Sequence, residues 1–514
     1  MNEAAEWKIA AFLSQGASYG EPSAAVERLD THASLIFLVG ARAFKMKRAV
    51  AFSYLDYSTL ARRKRYCERE LELGRRLAPA VYRRLHAVTR APDGRLALDG
   101  AGEPVEWLLE MRRFDQAALF DRLAESGRLT PALMRELADE IAEFHGAAEV
   151  SVDRGGSAAI DALIQDIEAN LRRAGKLLDG GGVRALDVAE TTAFRRLAPL
   201  LDRRRASGKV RRCHGDLHLR NICLVDGRPT LFDPIEFSDD LATIDVLYDL
   251  AFLLMDLHHR GHDELGNGVL NRYLDRTQDG GGLGALPLFL SLRAGIRAHV
   301  TAVAASRQSH PAEAAGLAAE ASAYLALAAE VLAPRAPRLV AIGGLSGTGK
   351  SSLAGALAPA LGAIPGARIL RSDVLRKRSF GVPPETRLPA AAYEPAVSER
   401  VYRMLSEEIA ETLGGGYAVV ADAVLLRPDE RGAMGELARA KGVPFTGLWL
   451  EAPPDLLARR LRDRRNDASD ADVAVMRGQA ALDPGAITWH RIDAGGDLSG
   501  TVEQARAILA GPAT

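Results

Sequence analysis

Cysteine is scarce in this sequence: Cys67, Cys213 and Cys223 are the only three among 514 residues. They form no CxxC pair, which excludes a small disulfide-stapled fold and agrees with a reducing cytoplasm. Aromatic residues are also few, at 6%. Proteins that grip single-stranded nucleic acid stack bases on such side chains. An excess of one charge sign is missing too, because 66 Lys+Arg face 67 Asp+Glu for a net charge of -1. That argues against a dedicated nucleic-acid binder and leaves room only for a local basic groove. The best apolar stretch, residues 250–257, is interrupted by Asp256 and flanked by Asp249, His258 and His259. It is too short and too polar to span a bilayer. Residues 1–8 are charged and lack the apolar core of a signal peptide. The expected location is cytoplasmic, with no membrane partner.

What is present is the composition of a soluble globular protein, 47% apolar and 26% charged. The length suggests roughly three folding units. The Pro-rich stretch Ala333-Pro334-Arg335-Ala336-Pro337-Arg338 marks a boundary between one domain at 1–333 and another at 338–514. An Ala- and Leu-rich closing helix is expected over 312–332. The first domain divides further, into an N-lobe over about 1–113 and a C-lobe over about 114–333. Its early part alternates as a hairpin, with Leu35-Ile36-Phe37-Leu38-Val39, a turn at Gly40, then Ala43-Phe44-Lys45-Met46-Lys47. A charged helix follows over 58–77, and from about Phe114 the pattern is mostly helical. The triplets Gly180-Gly181-Gly182 and Gly280-Gly281-Gly282 are expected in exposed loops. In the second domain apolar runs end at Ile342, Leu370, Val420, Leu450 and Ile492. Helical stretches over 352–361, 398–412 and 455–465 separate some of them. This alternation predicts an α/β domain with a five-stranded parallel sheet and helices on both faces.

Each half carries a phosphate-handling signature. In the second half, Gly344-Leu345-Ser346-Gly347-Thr348-Gly349-Lys350-Ser351 is a complete P-loop. It follows the strand Leu339-Val340-Ala341-Ile342 and precedes a helix beginning near Ser352, the context the motif requires. Gly344, Gly347 and Gly349 let backbone N–H groups turn toward phosphates, with Thr348 and Ser352 alongside, while the helix N-terminus favours the anion. Lys350 reaches the outer phosphates and Ser351 is placed to hold Mg²⁺. Ligands in such sheets bind beyond the carboxyl ends of the strands. The second strand is followed by Arg371-Ser372-Asp373-Val374-Leu375-Arg376 and the third ends at Asp422. Asp373 is the candidate general base, Arg376 the candidate substrate clamp and Asp422 the candidate metal carboxylate. The basic run Arg459, Arg460, Arg462, Arg464, Arg465 sits where a lid would carry arginines onto the transferring phosphate. Arg460 and Arg464, four apart, are expected on one helical face. Ser469-Asp470-Ala471-Asp472 reads as the start of a further helix.

In the first half, His214-Gly215-Asp216 precedes Asn221 with the spacing of a kinase catalytic loop. Asp216 orients and deprotonates an acceptor hydroxyl in such a loop, while Asn221 and Asp233 hold Mg²⁺ on the ATP phosphates. Asp226-Gly227 reads as the hairpin turn that delivers Asp233 to the loop. The nucleotide lysine is expected on the hairpin. Lys45 and Lys47 share one face of a strand, and Lys45, in Ala43-Phe44-Lys45, is preferred with Lys47 as the alternate. Glu70 is the expected ion-pair partner, with Glu68 second.

The stretch over about 30–260 resembles the aminoglycoside phosphotransferase family, a kinase-like α+β bilobal fold. The resemblance rests on His214-Gly215-Asp216-x-His218-x-x-Asn221, Asp233, Asp245 and Asp249. It implies that the last two aspartates brace the catalytic loop. No Gly-x-Gly-x-x-Gly loop precedes the lysine strand, a departure from the kinase pattern. The second half resembles small P-loop kinases of the gluconate kinase, chloramphenicol phosphotransferase and polynucleotide kinase group. That likeness rests on the P-loop, Ser372-Asp373-x-x-Arg376 and the Arg-rich segment ending in Asp467-Ala468-Ser469-Asp470-Ala471-Asp472. Together these features predict a bifunctional ATP-dependent phosphotransferase that uses Mg²⁺ and acts on hydroxyls of small polar acceptors, sugar- or aminoglycoside-like. The alternatives are a polynucleotide 5′-hydroxyl kinase with an accessory first half, and a nucleotide-sensing regulatory protein.

Overall fold

A computed structural model describes residues 3–52, 55–175, 177–464 and 467–511. Arg465 of the basic run lies outside them. The chain forms two compact units that interleave in sequence. The first comprises Met1–Ile160 and Leu201–Asp256, and the second Asp161–Leu200 and Leu257–Thr514.

The first unit contains a six-stranded antiparallel sheet. Its strands are β1 (Val26–Asp30), β2 (Ser34–Val39), β3 (Arg42–Lys47), β4 (Tyr82–Arg90), β5 (Leu96–Leu98) and β6 (Glu103–Arg112), in the order β1-β2-β3-β6-β4-β5. The predicted hairpin is β2–β3, turned at Gly40, whose φ of 52° is the left-handed conformation that favours glycine. Alternation divides the side chains between the two faces. Leu35, Phe37, Val39, Phe44 and Met46 pack with Ile9 and Leu13 of the helix Glu3–Leu13. Leu38 and Ala43 join Tyr82, Leu109, Cys223 and Val225. Lys45 and Lys47, two and four positions after Ala43, share its side of β3. The charged helix spans Leu60–Leu77, and the hydroxyl of its N-cap Thr59 accepts from the N–H of Arg62 at 3.3 Å.

The unit's remaining strands are short. β7 (Val210–Arg212) pairs with β10 (Thr243–Asp245), and β8 (Ile222–Val225) with β9 (Arg228–Leu231). Asp226 and Gly227 form the two-residue turn between β8 and β9, with φ of 52° and 78°. Two successive positive φ values match the twist of a tight hairpin.

The second unit contains the parallel sheet. Its strands are β11 (Leu339–Gly344), β12 (Arg368–Arg371), β13 (Val419–Asp422), β14 (Phe445–Glu451) and β15 (His490–Asp493), in the order β12-β13-β11-β14-β15. All neighbours run parallel, as the alternation predicted. Apolar residues cover both faces of β11: Val340 and Ile342 pack with Leu353, Leu357 and Val502, while Leu339 and Ala341 pack with Leu405, Ile409 and Met434. The helix after the P-loop is Lys350–Leu357, continued by a 3-10 turn at Ala358–Ala360. The helix expected after Ser469 is Val473–Ala480, capped by Asp472, which accepts from Val475 N at 2.9 Å.

Three expectations change. Gly180, Gly181 and Gly182 begin the helix Gly180–Ala206 rather than a loop. The Asp179 carboxylate supplies the acceptors that start it, taking the N–H groups of Gly181 and Gly182 at 3.0 and 2.8 Å. Gly280, Gly281 and Gly282 form a 3-10 turn, Gly280–Ala285, with Gly282 buried. Finally, residues 250–257 are not the stretch that comes nearest to a membrane span. The helices Gly280–Arg307, 3-10 turn included, and Pro311–Leu332 are long and apolar enough, by length and composition alone, to cross a membrane. Most of the apolar window of the first is buried inside the protein, as in the core helix of a soluble domain.

Two candidate active sites

At the first site β3 supplies two lysines to one carboxylate. Lys45 Nζ donates to Glu70 Oε1 at 2.8 Å and Lys47 Nζ to Glu70 Oε2 at 2.6 Å. Glu68 instead lies on the exposed side of its helix, 3.8 Å from Lys64. The environments of the lysines differ. Lys45 also donates to Asp233 Oδ1 at 2.5 Å, and the Asp233 side chain is 42% exposed. Lys47 is fully buried, donating to Glu236 and to the Tyr57 hydroxyl. Burial opposes the charge of both lysines. For Lys45 the carboxylates of Asp233 and Glu70 outweigh burial, and for Lys47 those of Glu236 and Glu70 do, so both ammonium groups titrate well above the ordinary lysine range.

The catalytic-type loop is held from beneath. Asp249 is buried and accepts from the N–H groups of His214 and Gly215 at 3.1 and 2.8 Å, and from His145 Nε2 at 3.1 Å. Cys213 lies in the same cluster. These donors take up both carboxylate oxygens of Asp249, so the geometry is that of a brace. Asp256 accepts from Leu219 N at 3.0 Å. Asp245 pairs with Arg204 at 2.7 and 2.8 Å, so of the two later aspartates it is Asp249 that touches the loop. Gly215 has φ of 85°, and a Cβ there would lie 2.9 Å from Ile235 Cδ1. His214 Nε2 lies 2.8 Å from the Phe232 carbonyl, and burial holds the imidazole below its ordinary pKa.

On this loop Asn221 Nδ2 donates to Asp216 Oδ2 at 2.9 Å and to the Asp216 carbonyl at 2.9 Å. The β8–β9 hairpin brings Asp233 back alongside, and Phe232 N donates to the Asn221 carbonyl at 3.0 Å. Asp233 has φ of 61° and its N–H donates to the Tyr82 hydroxyl at 2.9 Å. A non-glycine residue in this region carries local strain. The structure thus gathers Lys45, Glu70 and Asp233 by direct contact, with Asp216 and Asn221 on the adjoining loop.

At the second site Gly344, Gly347 and Gly349 all have positive φ, 132°, 91° and 94°. A Cβ at Gly344 would lie 2.6 Å from the Leu450 carbonyl, so the turn requires glycine. Lys350 Nζ donates to the carbonyls of Gly344 and Leu345, both at 2.9 Å. Burial pulls its pKa below the ordinary lysine value. Ser351 Oγ donates to Asp422 Oδ2 at 2.6 Å. Thr348 is buried and donates to the Leu345 carbonyl at 2.8 Å, while Ser352 is exposed on the first helical turn. Burial pushes the Asp373 carboxyl above the usual aspartate value, opposed by Arg371 and by a hydrogen bond with Ser469.

Arg371, just before Asp373, was not singled out in sequence. Its Nε lies 3.3 Å from Asp422 Oδ2, and its Nη2 lies 3.1 and 3.3 Å from the two oxygens of Asp467. It therefore joins the metal-type carboxylate to the Arg-rich segment. Its position at the end of β12 was the available signal. Glu236, buried against Lys47, was also missed, although it follows Asp233 by only three residues.

The remaining arginines divide. Arg376 is buried: it donates to the Ala392 carbonyl at 2.7 Å and to Ser398 Oγ at 3.3 Å, and lies over the Tyr393 ring. These contacts hold the segment Ala390–Tyr393. Arg460 and Arg464 do not share a helical face, because the helix Pro454–Asp463 ends before Arg464, whose backbone is extended. Arg460 donates to the Gly496 carbonyl at 3.0 Å and Arg464 to the Ala471 carbonyl. Arg464 contributes to the electrostatics of both Lys350 and Asp467.

Two family descriptions match the chain in this same order. "Phosphotransferase enzyme family" covers residues 57–286 and "AAA domain" covers 339–483. A protein of Mycobacterium tuberculosis described as uncharacterized is 31% identical over 489 residues, spanning 93% of this chain and 94% of its own. The chain belongs to that family. It is an ATP-dependent kinase: a kinase-like phosphotransferase domain followed by a P-loop kinase domain. Kinases of this kind use ATP with a divalent metal. A ribose 1,5-bisphosphate phosphokinase of a Ruegeria species is 30% identical over 184 residues, covering 33% of this kinase and 90% of its own length. Among solved structures, an amicoumacin kinase in complex with AMP-PNP and Ca2+ shows 15% identity at a TM-score of 0.38, over 63% of this chain and 94% of its own.

Proposed function

We propose that the kinase is bifunctional, with one γ-phosphoryl transfer site in 1–333 and another in 338–514, each acting on a hydroxyl of a small polar acceptor in the cytoplasm. The observation that carries this reading is the meeting of Lys45 with Glu70 and Asp233, residues from three separate elements that a kinase needs at one place. At the first site Lys45 binds the inner phosphates of ATP, with Glu70 fixing its ammonium. Asn221 and Asp233 hold Mg²⁺, for which their oxygens are hard donors of the right type. Asp216, oriented by Asn221, takes the proton as the acceptor oxygen bonds to the γ-phosphorus and the bond to the β-phosphate oxygen breaks.

At the second site the P-loop N–H groups and Lys350 hold the phosphates, and Ser352 lies on the first turn. Ser351 and Asp422 suit the same hard cation. Bound there, Mg²⁺ neutralises charge on the transferring group. Asp373 is the base: its burial keeps it out of water and raises its affinity for the acceptor's proton. Arg464, which acts on Lys350 and Asp467, is the favoured lid arginine, with Arg371 paired to the same Asp467. The similarity of a third of the chain to a ribose 1,5-bisphosphate phosphokinase favours a sugar-like acceptor at one of the sites.

The test is an acceptor screen with γ-labelled ATP on wild type, Asp216→Asn and Lys350→Ala. Two sets of acceptors are expected, one lost in each variant. Transfer that survives both substitutions would sink the reading. Transfer only to 5′-hydroxyl oligonucleotides would replace the small-molecule acceptor with a polynucleotide.

A further inference from the structure

β12 is an edge strand of the parallel sheet, and an uncovered edge leaves unpaired backbone groups. In this kinase the helix Asp263–Thr277 covers it with side-chain amides. Asn271 Oδ1 accepts from the N–H of Ile369 at 2.7 Å, as a neighbouring strand's carbonyl would. Asn267 and Asn271 donate to the Ala367 carbonyl at 3.0 and 3.2 Å. The buried Arg368 guanidinium spans Asn271 and Asp275: Nη1 donates to Asn271 O and Oδ1, both at 3.1 Å, and Nη2 to Asp275 Oδ1 at 2.6 Å. The approach is close: a Cβ at Gly366 would lie 2.9 Å from Asn267 Nδ2. On its other edge the same four-residue strand pairs with β13, placing Arg371 opposite Asp422.

A strand this short has little rigidity of its own, and its last residues lead into the site. We propose that Asn271 is a positioning residue of the P-loop site, holding β12 where Arg371 meets Asp422 and Asp373 stands ready as base. The P-loop is attached to β11, one strand beyond β13, so ATP binding is far less exposed to a shift of β12 than the transfer step is. The proposal rests on the P-loop half being a kinase.

The test uses the full chain and an acceptor whose phosphorylation Lys350→Ala abolishes. Asn271→Ala removes the whole amide. Asn271→Asp keeps the size and the acceptor for Ile369 but sets a carboxylate oxygen against the Ala367 carbonyl. For both variants kcat is expected to fall about tenfold or more while KM for ATP stays within about twofold, the size of loss that a small misplacement of a reacting group produces. Thermal melting followed by circular dichroism checks that each variant is folded at the assay temperature. If the alanine variant does not fold, Asn271→Asp alone decides. A kcat within twofold of wild type in the folded variants overturns the proposal, as does a parallel loss of kcat and ATP affinity. Absence of any Lys350-dependent transfer in wild type instead overturns the kinase reading of this half.

Discussion

Lys45 and Asp233 stand 188 positions apart in the chain, and their side chains meet at 2.5 Å. Each is a group that phosphates or a metal ion engages in a kinase, so the pair satisfies both partners before nucleotide arrives. Binding of ATP with a divalent metal is expected to part them. Lys45→Met is expected to lower kcat/KM for ATP at the first site by about 100-fold or more, the usual scale for losing a preorganised charge from phosphoryl transfer. Steady-state kinetics at varied ATP check this.

Lys47 is expected to act on stability. Removing its charge in Lys47→Met leaves Glu236 buried without its cation and Glu70 with Lys45 alone. Breaking a buried pair in this way costs about 3–5 kcal/mol. The double variant Lys47→Met/Glu236→Met is expected to recover much of that loss, because an apolar pair needs no counter-charge. Urea unfolding of the wild type and the variants decides. A double variant no more stable than Lys47→Met contradicts the pairing.

Ser351 and Asp422 are expected to reveal the metal at the second site. A thiol in Ser351→Cys is a poor ligand for magnesium and a better one for softer ions. Transfer by this variant is expected to fall by at least about tenfold with Mg²⁺ and to recover in part with Mn²⁺ or Cd²⁺. Lack of metal-dependent rescue places the hydroxyl outside the coordination sphere. Asp422→Asn is expected to lower activity with every metal.

Asp373 sets an expectation for pH. A base must be ionised to accept a proton, and burial raises its pKa above the ordinary aspartate value. The acid limb of kcat/KM for the second site is therefore expected above that value, with activity rising as pH climbs through it. Asp373→Asn is expected to abolish the limb along with transfer. A profile in Asp373→Asn that keeps both sinks the assignment.

Glu190 gives a stability test away from both sites. It is buried on the helix Gly180–Ala206, 2.8 Å from Ser291 Oγ, and burial raises its pKa to about 7. The folded form binds a proton that the unfolded form, titrating near 4.5, has released. Stability contributed by the neutral acid is thus full below the unfolded value and is lost as pH rises from 4.5 toward and through 7, by a few kcal/mol at most. Glu190→Gln is expected to flatten this loss in unfolding measurements at pH 5.5 and 8.

Much of the two candidate sites was legible wherever their residues lie in one contiguous stretch. His214, Gly215, Asp216 and Asn221 occupy one loop, and the P-loop runs from Gly344 to Ser351, so spacing alone exposed them. Glu70 could be ranked over Glu68 but not decided, since only packing shows which side of the helix faces β3. The same limit left Lys45 and Lys47 as alternates; in three dimensions they share one carboxylate and differ in what lies beyond it. The Arg460–Arg464 pairing failed because periodicity was extended past the helix end at Asp463.

The sequence by itself determined the two phosphate-handling motifs, the five parallel strands and the order of the two domains, because hydrophobic period and glycine placement are local properties. Tertiary structure alone decided which of Asp245 and Asp249 touches the loop, the burial of Lys47 by Glu236, the Arg371 link between Asp422 and Asp467, and the amide cover that Asn271 gives β12. Each joins residues from separate elements, and each depends on which polar groups the packed core leaves facing one another. Local pattern records the elements; the contact between their buried polar groups exists only once the chain has closed around them.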